Sequence, residues 1–291
     1  MSTEPCKACG AAGRVRGDGI LSCSGCGLAR LDPFPSDDEI RAIYGDGYYD
    51  AWGMMEAEAK EAVRSMKRAY FRRRLAELGP AGRGRALLDV GCATGFLLEE
   101  AREEGYEPYG VELSAFGARE AGRTFPGRIF QGTLAAAGFP DGRFDVVTLM
   151  DLIEHVPDPP EFLREVRRVL APGGRLLIVT PDQGGLSARG MGRRWFHRKR
   201  EHLYYFTRRS LAALLGRIGF RPRCAFGVRK AVTLAYLRSQ MRIYRTPLVS
   251  PALGFMVPLL PASLARRPLW LPTGEMVFHA EKTEDRKAQT A

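Results

Sequence analysis

Residues 87–96 carry the sequence LLDVGCATGF, in which an apolar run ends at Val90 and a glycine-bearing turn follows at once. The apolar run predicts a buried strand, and the residues after the turn predict a helix that begins at Phe96. A strand that passes through a glycine turn into a helix directs backbone N–H groups and the positive end of the helix dipole toward a ligand. This stretch therefore predicts a ligand site at the carboxyl end of a strand.

Short apolar runs alternate with helical patterns through the middle of the chain. Strands are expected at 85–90, 109–112, 129–131, 144–150 and 175–180, and helices at 96–104, 115–123, 160–170 and 207–218. Regular alternation predicts an α/β fold with a doubly wound, Rossmann-like, mostly parallel sheet. Ligands of such sheets lie outside the carboxyl ends of the strands.

The glycine turn differs from the dinucleotide-binding fingerprint, which requires glycine at its third and sixth positions. Ala93 and Phe96 occupy those positions here, and no lysine is present for a phosphate-binding loop. Asp89 favours a ligand with a cationic portion. Glu112, which follows Gly91 by 21 residues at the end of the next strand, is placed to accept the hydroxyls of a ribose.

The composition excludes disordered and collagen-like chains, because 45% of the 291 residues are apolar and only 26% are charged. The formal net charge is +11. Residues 182–230, the basic window, contain 13 basic and two acidic residues and so carry a charge equal to that of the whole chain. Because the excess positive charge is confined to this window, it indicates a local anion-binding region rather than a protein that binds polyanions over its whole surface.

Four of the six cysteines form two pairs, each with two residues between the thiols and each followed by glycine: Cys6, Cys9, Cys23 and Cys26. Two such pairs predict a tetrahedral structural zinc site in a ribbon, although the gap of 13 residues is slightly short for that class. Disulfides or unconnected buried thiols are the alternatives. The first ten residues carry no apolar leader, which favours a reducing, cytoplasmic location. Cys92 and Cys224 are expected to be buried.

The chain divides into four predicted parts. These are a zinc ribbon at 1–35, a linker and helical lead-in at 36–80, a ligand-binding core at 81–230, and a C-terminal apolar cap with a closing strand at 231–291. Ser36 and Glu39 form a predicted capping box in the lead-in. An aromatic group follows, suited either to a packed hinge or to a wall beside a ligand: Tyr44, Tyr48, Tyr49 and Trp52.

The C-terminal part contains 17 residues without a charge, 248–264, interrupted by three prolines. The segment is too short and too broken for a membrane-spanning helix. It is expected either to cap the acceptor pocket or to rest on a bilayer beside Arg266 and Arg267, as a peripheral contact with the inner membrane surface.

Four motifs taken in order resemble the class I S-adenosylmethionine-dependent methyltransferases over about residues 60–228. They are DVGCATG at 89–95, GVE at 110–112, FDVVTLMDLIEHVPDP at 144–159 and LAPGG at 170–174. EHLYYF at 201–206 is similar to the small-molecule branch, which includes ubiquinone-biosynthesis-type O-methyltransferases and sugar methyltransferases. Some sugar C-methyltransferases also carry an N-terminal zinc module.

The resemblance implies that S-adenosylmethionine (SAM) is the cofactor and assigns its contacts. Asp89, Gly91 and Gly95 would line the methionine end, Glu112 would hold the ribose, Leu113 would lie along the adenine, and Asp151 and Leu152 would flank the methyl-transfer site. Where the family often has an acidic residue after the third strand, this chain has Gln131.

Two histidines lie in segments that follow the fourth and fifth strands, where an acceptor would enter. His202 is the preferred general base, and His155 is either a second catalytic group or a residue that fixes its turn. Four further side chains are expected to contact the acceptor: Tyr204, Tyr205, Arg194 and Arg198.

These observations favour O-methylation of a small or carrier-linked anionic acceptor, such as a sugar, nucleotide-sugar, isoprenoid or lipid-linked glycan. An RNA methyltransferase that holds RNA with the ribbon and the basic segment is the alternative. A third possibility is a zinc-stabilised module that binds the nucleoside without turnover. The ribbon carries no dense basic stripe, which disfavours RNA as the acceptor. The sequence does not indicate an oligomeric state.

Overall fold

The computed structural model describes residues 5–43, 57–79, 84–199, 201–234, 249–265 and 269–284, together with residues 238 and 267. The aromatic group of the lead-in, Tyr44, Tyr48, Tyr49 and Trp52, lies outside the described residues, and so does Arg266. No helix within the described ranges is both long enough and apolar enough to cross a membrane.

The described strands and longer helices are numbered in chain order. The strands are β1 (Arg14–Gly17), β2 (Ile20–Cys23), β3 (Ala29–Leu31), β4 (Ala86–Val90), β5 (Glu107–Glu112), β6 (Ile129–Gln131), β7 (Phe144–Met150), β8 (Leu170–Pro181), β9 (Tyr204–Tyr205), β10 (Phe220–Val232) and β11 (Leu269–Lys282). The helices are α1 (Asp37–Ile43), α2 (Ala57–Ala76), α3 (Phe96–Glu103), α4 (Ala115–Thr124), α5 (Pro159–Val169), α6 (Leu186–Met191) and α7 (Arg208–Ile218), and two short helices follow at Val249–Met256 and Ala262–Ala265.

Seven strands form the main sheet in the order β10-β11-β8-β7-β4-β5-β6. The strands from β8 to β6 are parallel, whereas β11 runs antiparallel to both β8 and β10. Leu87 and Leu88 of the central strand β4 are fully buried, because apolar groups pack on both faces of the sheet. The predicted α/β fold with a mostly parallel sheet is confirmed.

Local signals in the sequence position several helix starts. The capping box of Ser36 and Glu39 forms, with Ser36 N donating to Glu39 Oε2 at 2.8 Å and Glu39 N donating to Ser36 Oγ at 3.3 Å. Asp158 caps α5 by accepting a hydrogen bond from Glu161 N, and Pro159 opens that helix.

The cysteine-bearing segment folds as an antiparallel sheet of β1, β2 and β3, and a fourth strand joins it from far along the chain. That strand is β9, whose Tyr205 pairs with Ala29 and whose Tyr204 pairs with Arg30. Leu31 N also donates to Leu203 O at 3.0 Å. The ribbon segment therefore shares a sheet with the segment that carries His202.

Further contacts fasten the cysteine loops to α5 and α7. Thr207 Oγ1 donates to the Cys26 carbonyl at 3.0 Å, and Lys7 pairs with Asp158 at 2.9 Å. Arg217 Nη1 donates to the Ala8 carbonyl at 3.2 Å. These contacts join the ribbon segment to the start of α5, which precedes β8, and to α7, which follows it.

Several expectations differ from the structure. The strand expected at 175–180 is longer and spans Leu170–Pro181. The closing strand of the C-terminal part is β11, Leu269–Lys282, because β10 offers it ladder partners up to Val232 opposite Leu269. Cys224 is exposed, so the expectation that it is buried was wrong; it lies on β10, which is the edge strand of the sheet. Cys92 is buried as expected.

Candidate active site

The glycine turn after β4 lies at the carboxyl edge of the main sheet. Gly91 has a φ of +77°, and a Cβ at this position would lie 3.1 Å from Leu152 Cδ1, so glycine is required for both conformation and space. Gly91 N donates to Val111 O at 2.8 Å, which ties the turn to β5. Gly95 begins α3 in a left-handed conformation. The structure thus brings Gly91 and Leu152 together; their roles toward the cofactor stay predictions.

Asp89 is a buried carboxylic acid at the entrance to this turn. It is 3% exposed, and Thr148 Oγ1 donates a hydrogen bond of 2.6 Å to its Oδ1. Burial raises the pKa of Asp89 to about 7; the Thr148 hydrogen bond opposes the shift, and the Glu112 carboxylate adds to it. A ligand that places positive charge here would favour the ionised form.

Glu112 connects the turns that follow two neighbouring strands. Its Oε2 accepts a hydrogen bond from Ala93 N and its Oε1 accepts one from Ser114 N, both at 2.8 Å. Ala93 itself has a φ of +48°, the left-handed region that glycine usually occupies. Leu113 is 56% exposed beside this carboxylate. The two residues assigned to ribose and adenine therefore lie next to the glycine turn.

Helix α2 brings a cation to the same region. Lys67 Nζ lies 5.6 Å from the centre of the Phe96 ring, at the start of α3. Burial lowers the pKa of Lys67 to about 8, nearby Lys230 lowers it further, and Asp151 and Asp89 oppose the shift. Lys67 lies outside every quoted motif, so the sequence did not indicate it as a site residue.

Asp151 and Glu275 share one ammonium group. Lys230 Nζ donates to Asp151 Oδ2 at 2.7 Å and to Glu275 Oε1 at 2.8 Å. Burial disfavours the charge on Lys230, but the two carboxylates outweigh it and hold its pKa well above the usual range. Asp151 follows β7 with a φ of +54°. Lys230 and Glu275 were missed as site residues, since only the folded sheet brings them to Asp151.

The side chains of Glu154, His155 and His202 form a compact polar group beside Asp151. The rings of His155 and His202 are 4.8 Å apart and nearly perpendicular, and Thr180 Oγ1 donates to Glu154 Oε2 at 2.9 Å. Glu154 belongs to the motif at 144–159 but was not among the predicted site residues. The structure thus joins the two predicted histidines and adds a carboxyl group.

Burial determines the charge of this group. Burial lowers the pKa of His202 to about 2, and the neighbouring His155 lowers it further. Burial also lowers the pKa of His155 below its usual value. For Glu154, burial and then Asp151 raise the pKa to about 8. Both imidazoles are therefore neutral at neutral pH, and each retains a nitrogen lone pair.

The same group has the composition of a divalent cation site. One ligand atom from each of Glu154, His155 and His202 lies within 4.8 Å of the others. Neutral imidazole nitrogen and carboxylate oxygen are common ligands of divalent transition metals in proteins. These three side chains are able to hold such an ion.

The four N-terminal cysteines converge as predicted. All four Sγ atoms lie within 4.8 Å of one another, with 3.6 Å from Cys6 to Cys26 and from Cys9 to Cys23. A tetrahedron of thiolates at about 2.3 Å from zinc has edges of about 3.8 Å, close to these separations. Backbone N–H donors also reach the loops, since Gly10 N donates to Cys6 O at 2.8 Å and Gly27 N to Cys23 O at 2.9 Å.

The predicted acceptor contacts occupy different settings. Tyr204 and Tyr205 are buried, and their hydroxyls donate to the Pro157 carbonyl at 3.3 Å and the Lys199 carbonyl at 3.2 Å. Arg194 is exposed on a short 3-10 helix, and Arg198 is half-buried. The Tyr205 ring packs against His202, whereas the Tyr204 ring packs against Phe34 and Phe206. The contact of these two tyrosines with an acceptor, and that of the arginines, stays a prediction.

Residues 62–225 match the family model described as a methyltransferase domain, which covers more than half of the chain. The chain belongs to the S-adenosylmethionine-dependent methyltransferase family. The residue assignments within the cofactor site were not tested by this match and stay predictions.

Two curated relatives of this methyltransferase bear the name ubiquinone biosynthesis O-methyltransferase. The protein from Psychrobacter cryohalolentis is 35% identical over 127 residues, which cover 40% of this chain and 49% of the relative. The protein from Pectobacterium atrosepticum is 32% identical over 156 residues, which cover 50% of this chain and 62% of the relative. The matched region thus spans about half the length of these curated relatives.

Solved structures share the fold of this methyltransferase at low sequence identity. The YcgJ protein from Bacillus subtilis aligns with a TM-score of 0.53 and 16% identity over 75% of this chain and 100% of that chain. A SAM-dependent methyltransferase from Archaeoglobus fulgidus aligns with a TM-score of 0.52 and 20% identity over 75% of this chain and 94% of that chain. These alignments show that the fold of the main sheet and its helices is shared with known structures.

We expect the affinity of this methyltransferase for SAM to depend on the ionisation of Asp89. In the free protein Asp89 has a pKa of about 7, so it is protonated below that pH, and a cationic ligand favours the ionised form. The affinity should therefore rise about tenfold between about pH 6 and about pH 8. Titration calorimetry at each pH measures this change.

Two variants separate this effect from other titrating groups. Asp89→Asn should remove the rise, whereas Thr148→Val removes the hydrogen bond that lowers the pKa of Asp89 and should move the rise to higher pH. An identical pH dependence in the wild-type protein and in Asp89→Asn would contradict the assignment.

Proposed function

We propose that this protein transfers the methyl group of SAM to a hydroxyl group of a small or carrier-linked anionic acceptor. Sugars, nucleotide-sugars, isoprenoids and lipid-linked glycans contain suitable hydroxyls. The names of the curated relatives support O-methylation. The observation that carries the proposal is the buried, neutral His155 and His202 pair, which lies beside Asp151 at the carboxyl edge of the sheet.

Methyl transfer to oxygen requires an in-line arrangement of the acceptor oxygen, the methyl carbon and the sulfonium sulfur. The oxygen forms a bond to carbon, the bond from carbon to sulfur breaks, and the hydroxyl proton must leave. His202 is 6% exposed, and its Nδ1 makes no hydrogen bond within the described residues. This lone pair would receive the proton of the acceptor hydroxyl.

Recognition of an anionic acceptor is assigned to Arg194 and Arg198. Among the described residues, six basic residues of the basic window form ion pairs, and four of their partners come from outside it: Asp18, Asp151, Glu275 and Glu281. Part of the positive charge is therefore neutralised within the fold. Anion recognition falls on a smaller set of arginines than the sequence alone indicates.

The cysteine cluster is proposed to hold one structural zinc ion. Four thiolates leave no open coordination position, so the ion would stabilise the loops and the four-stranded sheet without entering the reaction. Thiolate ligands of this kind are stable in a reducing compartment, which agrees with the proposed cytoplasmic location.

The acceptor class is tested with isotope-labelled SAM added to host extract and separated into RNA, lipid and small-molecule fractions. We expect label in the small-molecule or lipid fraction, because the basic window is partly neutralised and the ribbon lacks a basic stripe. Incorporation confined to RNA would overturn the proposed acceptor class and establish the RNA alternative.

The proposed base is tested by His202→Gln, which keeps a polar side chain but lacks a basic nitrogen. We expect kcat to fall about 100-fold or more, while SAM affinity stays unchanged. His279→Gln is the matched control, because His279 is also buried but lies in β11 beside Phe226. Equal turnover by His202→Gln and the wild-type protein would exclude His202 as the base.

The proposed zinc site is tested by metal analysis of the purified protein. We expect one zinc ion per chain in the wild-type protein and a large loss of zinc in Cys26→Ser, since each ligand is needed for a closed tetrahedron. Cys224→Ser is the control, because its thiol is exposed on β10. A metal-free wild-type protein with a stable ribbon would refute the site.

A further inference from the structure

The exposed apolar side chains of this molecule are concentrated in two segments. Eleven large hydrophobic residues within the described ranges are exposed, and nine of them lie between residues 186 and 196 or between residues 255 and 271. The nine are Leu186, Met191, Phe196, Phe255, Met256, Leu259, Leu264, Leu269 and Leu271. Leu186, Phe255 and Leu259 are the most exposed, at 86%, 73% and 71%. Such clustering differs from the scattered exposure that is ordinary for protein surfaces.

The topology places the second segment at the carboxyl edge of the sheet. Glu275 of β11 pairs with Pro181, the last residue of β8. Residues 269–272 continue beyond that point and pair with residues 229–232 of β10. The connection between these two strands therefore leaves from the edge where the glycine turn and the histidine pair lie.

The first segment packs against the same strand extension. His197 Nε2 lies 2.6 Å from the Thr273 carbonyl oxygen, and Asp182 N donates to Gly274 O at 2.9 Å. A Cβ on Gly274 would lie 2.3 Å from Ser187 Oγ, so the Ser187 side chain occupies the space beside this glycine. Residues 186–198 and 249–271 are together called the edge surface.

The edge surface belongs to sequence that is basic and free of acids. Residues 231–274 contain five arginines and neither Asp nor Glu, and residues 183–200 also lack acids. Arg189, Arg193 and Arg194 are exposed among Leu186, Met191 and Phe196. Apolar and cationic side chains therefore occur together, which is the composition of segments that lie at a membrane interface.

We propose that the edge surface docks on an anionic lipid bilayer, with the active site facing the membrane. Apolar side chains such as Phe255 and Leu259 would enter the boundary between headgroups and acyl chains, and the arginines would contact lipid phosphates. RNA would satisfy the arginines but would leave the apolar side chains in water. The edge surface includes Arg194 and Arg198, which the proposed function assigns to the acceptor, so the inference is tested on the apolar side chains.

The test is cosedimentation of the full chain with vesicles of phosphatidylcholine, with and without phosphatidylglycerol. We expect binding to the vesicles that contain phosphatidylglycerol, and weaker binding as salt is added. Phe255→Ser combined with Leu259→Ser should weaken the binding about tenfold or more, because less apolar surface would be buried. Val15→Ser is the matched control, since Val15 is 61% exposed on the ribbon.

A second pair, Leu186→Ser with Phe196→Ser, examines the other segment and should have the same effect as the first. Unchanged SAM affinity in each variant shows that the fold is intact. Absence of wild-type binding to the anionic vesicles would overturn the inference. Equal binding by the wild-type protein and both double variants, or equal binding to vesicles with and without phosphatidylglycerol, would also overturn it. None of these measurements depends on methyl transfer, so failure here is distinguishable from failure of the proposed function.

Discussion

The ion pairs of Lys230 with Asp151 and Glu275 determine how the C-terminal strands meet the catalytic edge. Asp151 directly follows β7, Lys230 lies on β10 and Glu275 lies on β11. A single ammonium therefore connects the end of β7 to both C-terminal strands. Burial raises the pKa of Glu275 to about 7 even with this partner. Loss of the ammonium would leave two carboxylates close together without a cation, which is costly in a partly desolvated site. The outward extension of β10 and β11 therefore depends on this cluster.

Local patterns predicted the parts of the fold that depend on neighbouring residues. The turn at residues 87–96 and the capping box at Ser36 were predictable because propensity, periodicity and turn chemistry act over a few positions. The pairing of β9 with β3 was not predictable, since its two residues give no strand signal of their own and find a partner more than 170 positions away. Cys224 was placed wrongly for a related reason, because composition does not show that β10 is an edge strand.

The sequence predicted several of the residues that form the site but not their protonation states. The motifs located Asp89, His155 and His202, yet none of them shows that burial would bring the pKa of Asp89 to about 7 or that of His202 to about 2. Those values follow from desolvation, which depends on segments distant in the chain. The position of Lys67 beside the Phe96 ring was also not predictable, since it depends on how α2 crosses α3.

The sheet shared by the ribbon segment and β9 joins the N-terminal module to the segment that carries His202. Residues of the ribbon contact the segment that carries His202, while the glycine turn lies in the other sheet. The residues proposed to hold the donor and those proposed to meet the acceptor thus belong to different sheets that share one hydrophobic core. Under the proposed function, exchange of the N-terminal module between related chains would alter which acceptors are accepted and would leave the residues that hold the methyl donor unchanged.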